Sequence, residues 1–200
     1  MQFADVVRAR HMTRTYQPDE PVPRETIDAL LRLALRAPSA GNTQGWRFLV
    51  LDSVAAVTRF WDATVDPDAA IDSWLVRLQT APALVVVLAS ERLYRERYAE
   101  PDKGSVPPDE QEWPVPYWYI DAGMAAMTIL LGAADDGLGA CLFGVPTPAW
   151  SGLRAAFAIP PDFDPVAVIS LGRPAPDRKS PSLRRGRRPW DEVVAYGSFD

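Results

Sequence analysis

Apolar residues recur at helical spacing in several stretches of the chain. The clearest is 25–36, whose leucines and isoleucine form one broad apolar face, and Pro38 ends this helix. Residues 120–134 are apolar nearly all round, which is typical of a helix buried at the centre of a domain. The predicted helices are 4–10, 25–36, 54–61, 67–79, 120–134 and 148–157. Three of them follow residues that can serve as N-caps, namely Ser53, Asp66 and Thr147.

Uninterrupted apolar runs of strand length lie between the predicted helices. The run 83–89 consists of alanine, leucine and valine only, which is typical of a strand buried on both faces. The predicted strands are 46–51, 83–89, 138–144 and 165–171. Few strands among long helices indicate a single domain over 1–200, with an α+β or three-layer sandwich fold.

Two segments interrupt this alternation. Residues from about 94 to 118 are charged and rich in proline, and a loop of that length in a compact domain is typically a lid or a binding segment. Residues 38–46 read Pro-Ser-Ala-Gly-Asn-Thr-Gln-Gly-Trp. Small residues let another body approach the main chain, and amides recognise a flat heteroaromatic edge. We therefore interpret 38–46 as one wall of a binding site, and call it the wall below.

Composition and charge exclude several classes of function. The net charge of −5 argues against general nucleic-acid binding, and the uncharged apolar stretch 122–134 is too short to span a bilayer. The chain has one cysteine, Cys141, and one histidine, His11, which argues against a metal site. Cys141 lies in an apolar run and is interpreted as a buried hydrophobe. No secretory signal begins the sequence, so a cytoplasmic protein is expected.

Two apparent catalytic features have simpler interpretations. Gly137-Leu-Gly139 follows a predicted helix, whereas a dinucleotide fingerprint follows a strand, so a helix C-cap is favoured. His11 has three arginines nearby, which oppose its protonation, and no carboxylate to orient it as in a catalytic triad.

Arginines form two clusters in this acidic chain, at 8–14 and 184–188. The second precedes 189–194, an aromatic and aliphatic segment suited to docking on a surface. Forked guanidinium groups clamp phosphate oxygens, so convergence of the clusters would bind a mononucleotide without a glycine-rich loop. A solvated helix end, a free tail and a nucleic-acid contact are the alternatives.

Four segments, in the correct order over nearly the whole chain, resemble motifs of the FMN-dependent nitroreductase superfamily. Residues 10–16 resemble its Arg-x-Ser-x-Arg/Lys-x-Phe signature, and the wall resembles its Pro-Ser-x-x-Asn-x-Gln-Pro-Trp segment. Residues 121–126 with 137–139 are similar to its central helix and following turn, and 185–194 to its basic C-terminal motif. The resemblance implies a three-layer α+β sandwich whose small, mostly antiparallel sheet is flanked by long helices.

The resemblance also implies a homodimer with FMN at the subunit interface, NAD(P)H as reductant, and a C-terminal tail from about 173 to 200 that embraces the partner. Arg77 would lie near the flavin pyrimidine edge, and the main chain of 142–144 near N5. The implied FMN-binding residues are Arg10, His11, Met12, Arg14, Arg77, Leu142, Phe143, Gly144, Arg185 and Arg187 of one subunit, with Pro38, Ser39, Ala40 and Asn42 of the other. The candidates for stacking on a substrate are Trp113, Tyr117, Trp118 and Tyr119.

The sequence departs from the family pattern in three places. Met12 replaces a hydroxyl residue, Gly45 stands where proline is common, and Met127-Thr128 replace an amide pair.

The predicted function is NAD(P)H-dependent, ping-pong reduction of nitroaromatic or quinone-like acceptors, for which the flavin supplies the chemistry and no catalytic His or Cys is needed. The alternatives are a flavin-handling relative of flavin-cleaving, deiodinating or deazaflavin-pathway type, a non-catalytic flavin-binding module, and a nucleic-acid binder acting through its arginine tail.

Overall fold

The apolar runs pair into one four-stranded antiparallel sheet in the computed structural model, which describes residues 1–68, 72–178 and 180–199. The strands are β1 (Trp46–Leu51), β2 (Ala83–Ala89), β3 (Gly139–Phe143) and β4 (Asp164–Gly172). Their order is β1-β2-β4-β3, with a register shift between Val87 and Leu88 where β2 meets β4. All four predicted strands are confirmed, and β2 is buried along its whole length.

Eight α-helices lie within these described residues. They are α1 (Phe3–Ala9), α2 (Arg24–Ala34), α3 (Val54–Thr64), α4 (Ser73–Leu78), α5 (Glu91–Tyr98), α6 (Tyr117–Asp135), α7 (Trp150–Phe157) and α8 (Trp190–Val193). Short 3-10 turns occupy Ala40–Asn42, Pro101–Lys103, Thr147–Ala149 and Pro181–Arg185.

Two hydrophobic layers cover the two faces of the sheet, because successive side chains of a strand point to opposite faces. Val85 and Val87 pack with α2 and α6 on one face. Leu84 and Val86 pack with α3, α4 and α7 on the other. The predicted three-layer α+β sandwich with a central antiparallel sheet is therefore confirmed.

Small residues let α6 lie at the centre of the first layer. Ala122, Ala125 and Ala133 are fully buried against neighbouring elements. A Cβ atom on Gly132 would come within 2.7 Å of a Leu30 methyl group, so a larger residue there would displace the buried Leu30 side chain. This close packing holds α6, whose first residue is Tyr117, against α2 and the sheet.

The helix predicted over 67–79 begins later than expected. Asp72 caps α4 by accepting a hydrogen bond from the main-chain N–H two residues on, at 2.8 Å. Asp66 instead accepts from the N–H two residues after it, at 2.9 Å, and closes a separate turn. Each aspartate thus satisfies a local N–H of its own, and the prediction of one continuous helix was wrong. Residues 69–71 of the predicted span lie outside the described residues.

The segment predicted as irregular over 94–118 contains helical structure at both ends. α5 covers its start and α6 its end, so the irregular part is about 104–116. Two Glu–Arg ion pairs at i,i+4 spacing support α5, and Tyr94 on its inner face is fully buried. The sequence analysis missed α5 because most of its residues are charged and only Tyr94 is fully buried.

Two predicted helix starts had different outcomes. Ser53 caps α3 as predicted, since its Oγ accepts a hydrogen bond from the Ala56 N–H at 3.3 Å. Thr147 caps no helix, because a 3-10 turn intervenes and α7 begins only at Trp150. Over the part of the chain that is described, no helix is both long enough and apolar enough to cross a membrane.

Candidate functional site

The N-terminal arm, residues 10–16, runs along the outer edge of β3. Met12 pairs with Ala140, and the Thr13 N–H donates to the Ala140 carbonyl at 2.9 Å. A Cβ atom on Gly139 would lie 2.7 Å from the Thr13 methyl group, so the arm approaches β3 this closely because residue 139 is glycine. The arm is therefore held against β3 by an isolated bridge and by close packing on Gly139.

The chain after β4 returns to this arm. Gln17 donates its N–H to the Arg173 carbonyl at 3.0 Å, and Ala175 donates to the Thr15 carbonyl at 3.0 Å. A cavity of 580 Å³, called the arginine cavity below, lies between the two segments. Its lining residues are Arg10, His11, Met12, Thr13, Arg14, Pro174, Ala175, Asp177, Arg178, Ser180, Ser182, Leu183 and Arg187. The N-terminal cluster and part of the C-terminal cluster thus meet at one cavity, whereas the exposed Arg185 lies outside its lining.

Two arginines in this lining have unsatisfied donors. Arg10 Nη1 and Arg14 Nε are buried and have no hydrogen-bond partner among the described residues. A buried donor without a partner costs about 1–3 kcal/mol, more when it is charged, so an anionic ligand with acceptor oxygens would stabilise both. The donor set of the arginine cavity fits the phosphate of a mononucleotide such as FMN.

His11 and Met12 make local contacts in the arm. The His11 ring contacts the Ala9 carbonyl through Nδ1 at 3.0 Å and the Thr13 hydroxyl through Nε2 at 3.4 Å. Met12, which replaces the family hydroxyl, accepts the Leu142 N–H on its sulfur at 3.5 Å. That N–H belongs to the 142–144 main chain, which the resemblance places near flavin N5.

Asp177, which sequence reasoning missed, ties Arg77 to the arm. Its Oδ1 pairs with Arg77 Nη1 at 2.9 Å, and its Oδ2 accepts the Arg14 N–H at 3.1 Å. Burial opposes the ionisation of Asp177, but the nearby Thr15 hydroxyl, the N–H groups of Arg14 and Arg178 and the charge of Arg77 together outweigh it and hold its pKa below the usual range. The carboxylate is therefore ionised at neutral pH and compensates the charge of Arg77. An isolated acid within a basic C-terminal segment was the signal available in the sequence.

The main chain just after β3 is open to a ligand at Gly144, whereas the Leu142 N–H is taken by Met12. Leu142 is partly exposed, while Phe143 is buried with its ring stacked on Trp61 at 5.6 Å. A Cβ atom on Gly144 would meet nothing within 4 Å, so space borders the main chain there. Cys141 in the same strand is buried, as predicted, and burial raises the pKa of its thiol.

The wall turns tightly on itself. Its Ser39 Oγ accepts the Gln44 N–H at 2.9 Å, and the Gln44 amide donates to the Asn42 side chain at 3.3 Å. None of Pro38, Ser39, Ala40 and Asn42 lines the arginine cavity of the same chain. Ala40 lines a different cavity, so one chain does not unite the two halves of the predicted FMN site.

This second cavity, the aromatic cavity, has a volume of 720 Å³ and adjoins the irregular segment. Its lining residues are Ala40, Tyr98, Lys103, Val106, Glu110, Gln111, Glu112, Trp113, Pro114 and Tyr117. Trp118 is instead buried in the core beside Tyr94, and the Tyr119 hydroxyl donates to Asp164 at 2.7 Å. Of the four predicted stacking residues, Trp113 and Tyr117 are therefore the ones placed to meet a ligand in this cavity.

No cluster of three or more His, Cys, Asp or Glu side chains that could hold a metal ion occurs in the described ranges.

Comparison with known proteins identifies the class to which this fold and site belong. The model of the Nitroreductase family matches residues 7–173, and the chain belongs to that family. It is 30% identical over 223 residues to the 4-nitrobenzoate reductase of a Nocardioides species, covering 97% of this chain and 89% of that protein. It is 29% identical over 178 residues to a candidate NADH dehydrogenase/NAD(P)H nitroreductase of Methanothermobacter thermautotrophicus, covering 88% and 78%.

Solved structures share the fold at lower identity. A candidate nitroreductase from Exiguobacterium sibiricum, crystallised in complex with FMN, has a TM-score of 0.75 at 21% identity and covers 98% of this chain and 97% of its own. A nitroreductase family protein from Streptococcus pneumoniae has a TM-score of 0.74 at 20% identity, with 98% and 100% covered.

Proposed function

We propose that this protein is an FMN-dependent oxidoreductase that uses NAD(P)H to reduce electron-poor acceptors such as nitroaromatic or quinone-like compounds. The observation that carries the proposal is the arginine cavity, where two buried guanidinium nitrogens lack partners. Membership of the Nitroreductase family and the reductase names of its relatives support the same reaction class.

The residues of the arginine cavity bind and orient the cofactor. Arg10, Arg14 and Arg187 of this cavity would hold its phosphate, and the main chain at Gly144, which lies outside the lining of the arginine cavity, would border the ring system. The positive charge of Arg77 would favour a reduced, anionic ring system. Its ion pair with Asp177 lessens this effect. FMN, when bound, supplies hydride transfer from NAD(P)H to the acceptor, so no acid–base side chain is required.

We further propose that the working unit is a homodimer in which the wall serves the partner's FMN. The wall lies apart from the arginine cavity within one chain, which supports that arrangement. An apolar strip on α6, with Ile120 46%, Met124 36% and Met127 40% exposed, offers a surface for a second copy. The tail ends in exposed aromatic residues, including Tyr196 and Phe199, which fit an embrace of the partner.

The acceptor is assigned to the aromatic cavity. Trp113 and Tyr117 provide ring faces, and the irregular segment 104–116 forms the cover. A cavity of 720 Å³ accommodates a substituted one- or two-ring compound.

The test is FMN uptake followed by anaerobic stopped-flow mixing with NADH and, separately, NADPH, and then with nitrobenzoate and a quinone. Flavin bleaching by a nicotinamide and reoxidation by an acceptor are expected. Protein that takes up no FMN contradicts the proposal, whereas FMN that neither nicotinamide bleaches favours the non-catalytic alternative.

A matched pair of variants tests the phosphate assignment. Arg14→Gln removes a donor of the arginine cavity and should weaken FMN binding about tenfold or more. Arg24→Gln removes an exposed arginine that pairs with Asp52 elsewhere and should leave FMN binding unchanged.

A further inference from the structure

A buried carboxylate lies in the second turn of the apolar helix α6. Asp121 is 2% exposed and forms no ion pair within the described part of the chain. Its Oδ2 accepts two hydrogen bonds, from the Ala40 N–H at 2.8 Å and from the Tyr94 hydroxyl at 2.7 Å. Burying a charged group is unfavourable unless it is hydrogen-bonded, so this carboxylate needs both donors. One of the two is main chain of the wall.

The Tyr94 ring explains the glycine at position 45, where the family commonly has proline. A Cβ atom on Gly45 would lie 2.4 Å from the Tyr94 ring, so any side chain there would collide with it. The Gly45 carbonyl also accepts the Ser90 N–H at 2.9 Å. Gly45 and Tyr94 are therefore a matched pair at the end of the wall.

A second residue of α5, Arg97, contacts the centre of the wall. Arg97 Nε donates to the Gly41 carbonyl at 3.0 Å. The wall at this point needs support, since Asn42 and Gln44 have φ values of 52° and 53°, in the left-handed region that non-glycine residues adopt at a cost. Burial, and then the hydrogen bond to Asp121, raise the pKa of Tyr94, so its hydroxyl is protonated and able to donate at neutral pH.

We propose that Asp121 and Tyr94 are positioning residues that fix the wall for cofactor binding, through the hydrogen-bond chain from Tyr94 to Asp121 to the main chain of Ala40. The pair sets where Ser39, Ala40 and Asn42 present themselves to FMN. The inference rests on the proposed FMN site, and it assigns the buried acid a role in cofactor affinity and not only in folding.

Three variants distinguish the effect of the hydrogen bonds to Asp121 from the effect of its charge. Tyr94→Phe removes one hydroxyl and keeps the ring against Gly45. Asp121→Asn keeps an oxygen with two lone pairs at the same place and removes the charge. Asp121→Leu removes both acceptors. Ile159→Val, in the layer on the other sheet face, is the control for general loss of stability.

The readouts are the FMN dissociation constant, from quenching of flavin fluorescence, and amide hydrogen exchange at Ala40. Tyr94→Phe and Asp121→Leu should weaken FMN binding about five- to tenfold and speed exchange at Ala40, while Asp121→Asn stays within about twofold of the wild type. Ile159→Val should lower the melting temperature without changing FMN affinity.

Unchanged FMN affinity in Tyr94→Phe overturns the inference, and so does an equal loss in Ile159→Val. Wild-type protein that takes up no FMN overturns the proposed function instead, so the two failures are distinguishable.

Discussion

Replacing Asp177 with asparagine should tighten FMN binding, because it removes a negative charge from the lining of the arginine cavity. A cavity of 580 Å³ is about 10 Å across, so a phosphate charge inside it lies about 10 Å or less from the carboxylate. At an effective dielectric constant of about 20, the repulsion between two unit charges about 10 Å apart is worth about 1.7 kcal/mol. Salt screening lowers this repulsion, and the double charge of a phosphate monoester raises it. We expect a net effect of about 1.4 kcal/mol, or about tenfold in the dissociation constant.

The assay is fluorescence titration of FMN into Asp177→Asn, the wild type and a control at two salt concentrations. Asp162→Asn is the matched control, because Asp162 also pairs with an arginine, Arg92 at 2.7 Å, but lies outside the arginine cavity. The gain in Asp177→Asn should shrink at high salt, and the control should bind FMN like the wild type. Unchanged or weaker binding in Asp177→Asn would refute the electrostatic reasoning.

The pH dependence follows from the direction of the pKa shift. The pKa of Asp177 is lowered in the folded protein, so its contribution to folding stability is present above the unfolded carboxyl value and is lost as pH falls through the folded value. The difference in FMN affinity between the wild type and Asp177→Asn should therefore be constant above about pH 7, and it should decrease without vanishing near pH 6, where a phosphate monoester takes up its second proton. A difference that disappears near pH 6 would mean that another group is responsible.

Three further outcomes are expected. Gly45→Ala should destabilise the fold by about 1–3 kcal/mol in urea unfolding, because its Cβ would lie 2.4 Å from the Tyr94 ring, and a smaller residue at 94 should recover part of this. Ser53→Ala should lower the free energy of unfolding by about 1 kcal/mol through loss of the cap on the Ala56 N–H, and a loss below 0.3 kcal/mol would exclude that role. Cys141 should resist alkylation at pH 8 until the protein unfolds, since burial raises the pKa of its thiol; rapid labelling of native protein would contradict this.

The strands were predictable because their apolar runs are long and bounded by turn residues. β1 and β2 begin and end at the predicted residues. The short helices were not predictable in the same way. α5 carries charge on most of its surface, and α4 follows two aspartates that each could begin a helix.

The partners of the two acids that hold the site could not be predicted from the sequence. Asp121 meets Ala40 and Tyr94, which lie 81 and 27 residues away along the chain. Asp177 meets Arg77 across 100 residues. Such contacts depend on the packing of whole elements, so sequence motifs located the segments of the site but not the side chains that hold them.

The position of the N-terminal arm has a consequence for solubility. β3 is at the edge of the sheet, and Met12 and Thr13 cover its outer side at Ala140. An uncovered edge strand offers free N–H and C=O groups to the strands of other molecules and promotes aggregation. The segment that carries Arg10 and Arg14 therefore also covers this edge strand. Changes that loosen the arm should therefore cause aggregation together with weaker binding of the proposed cofactor.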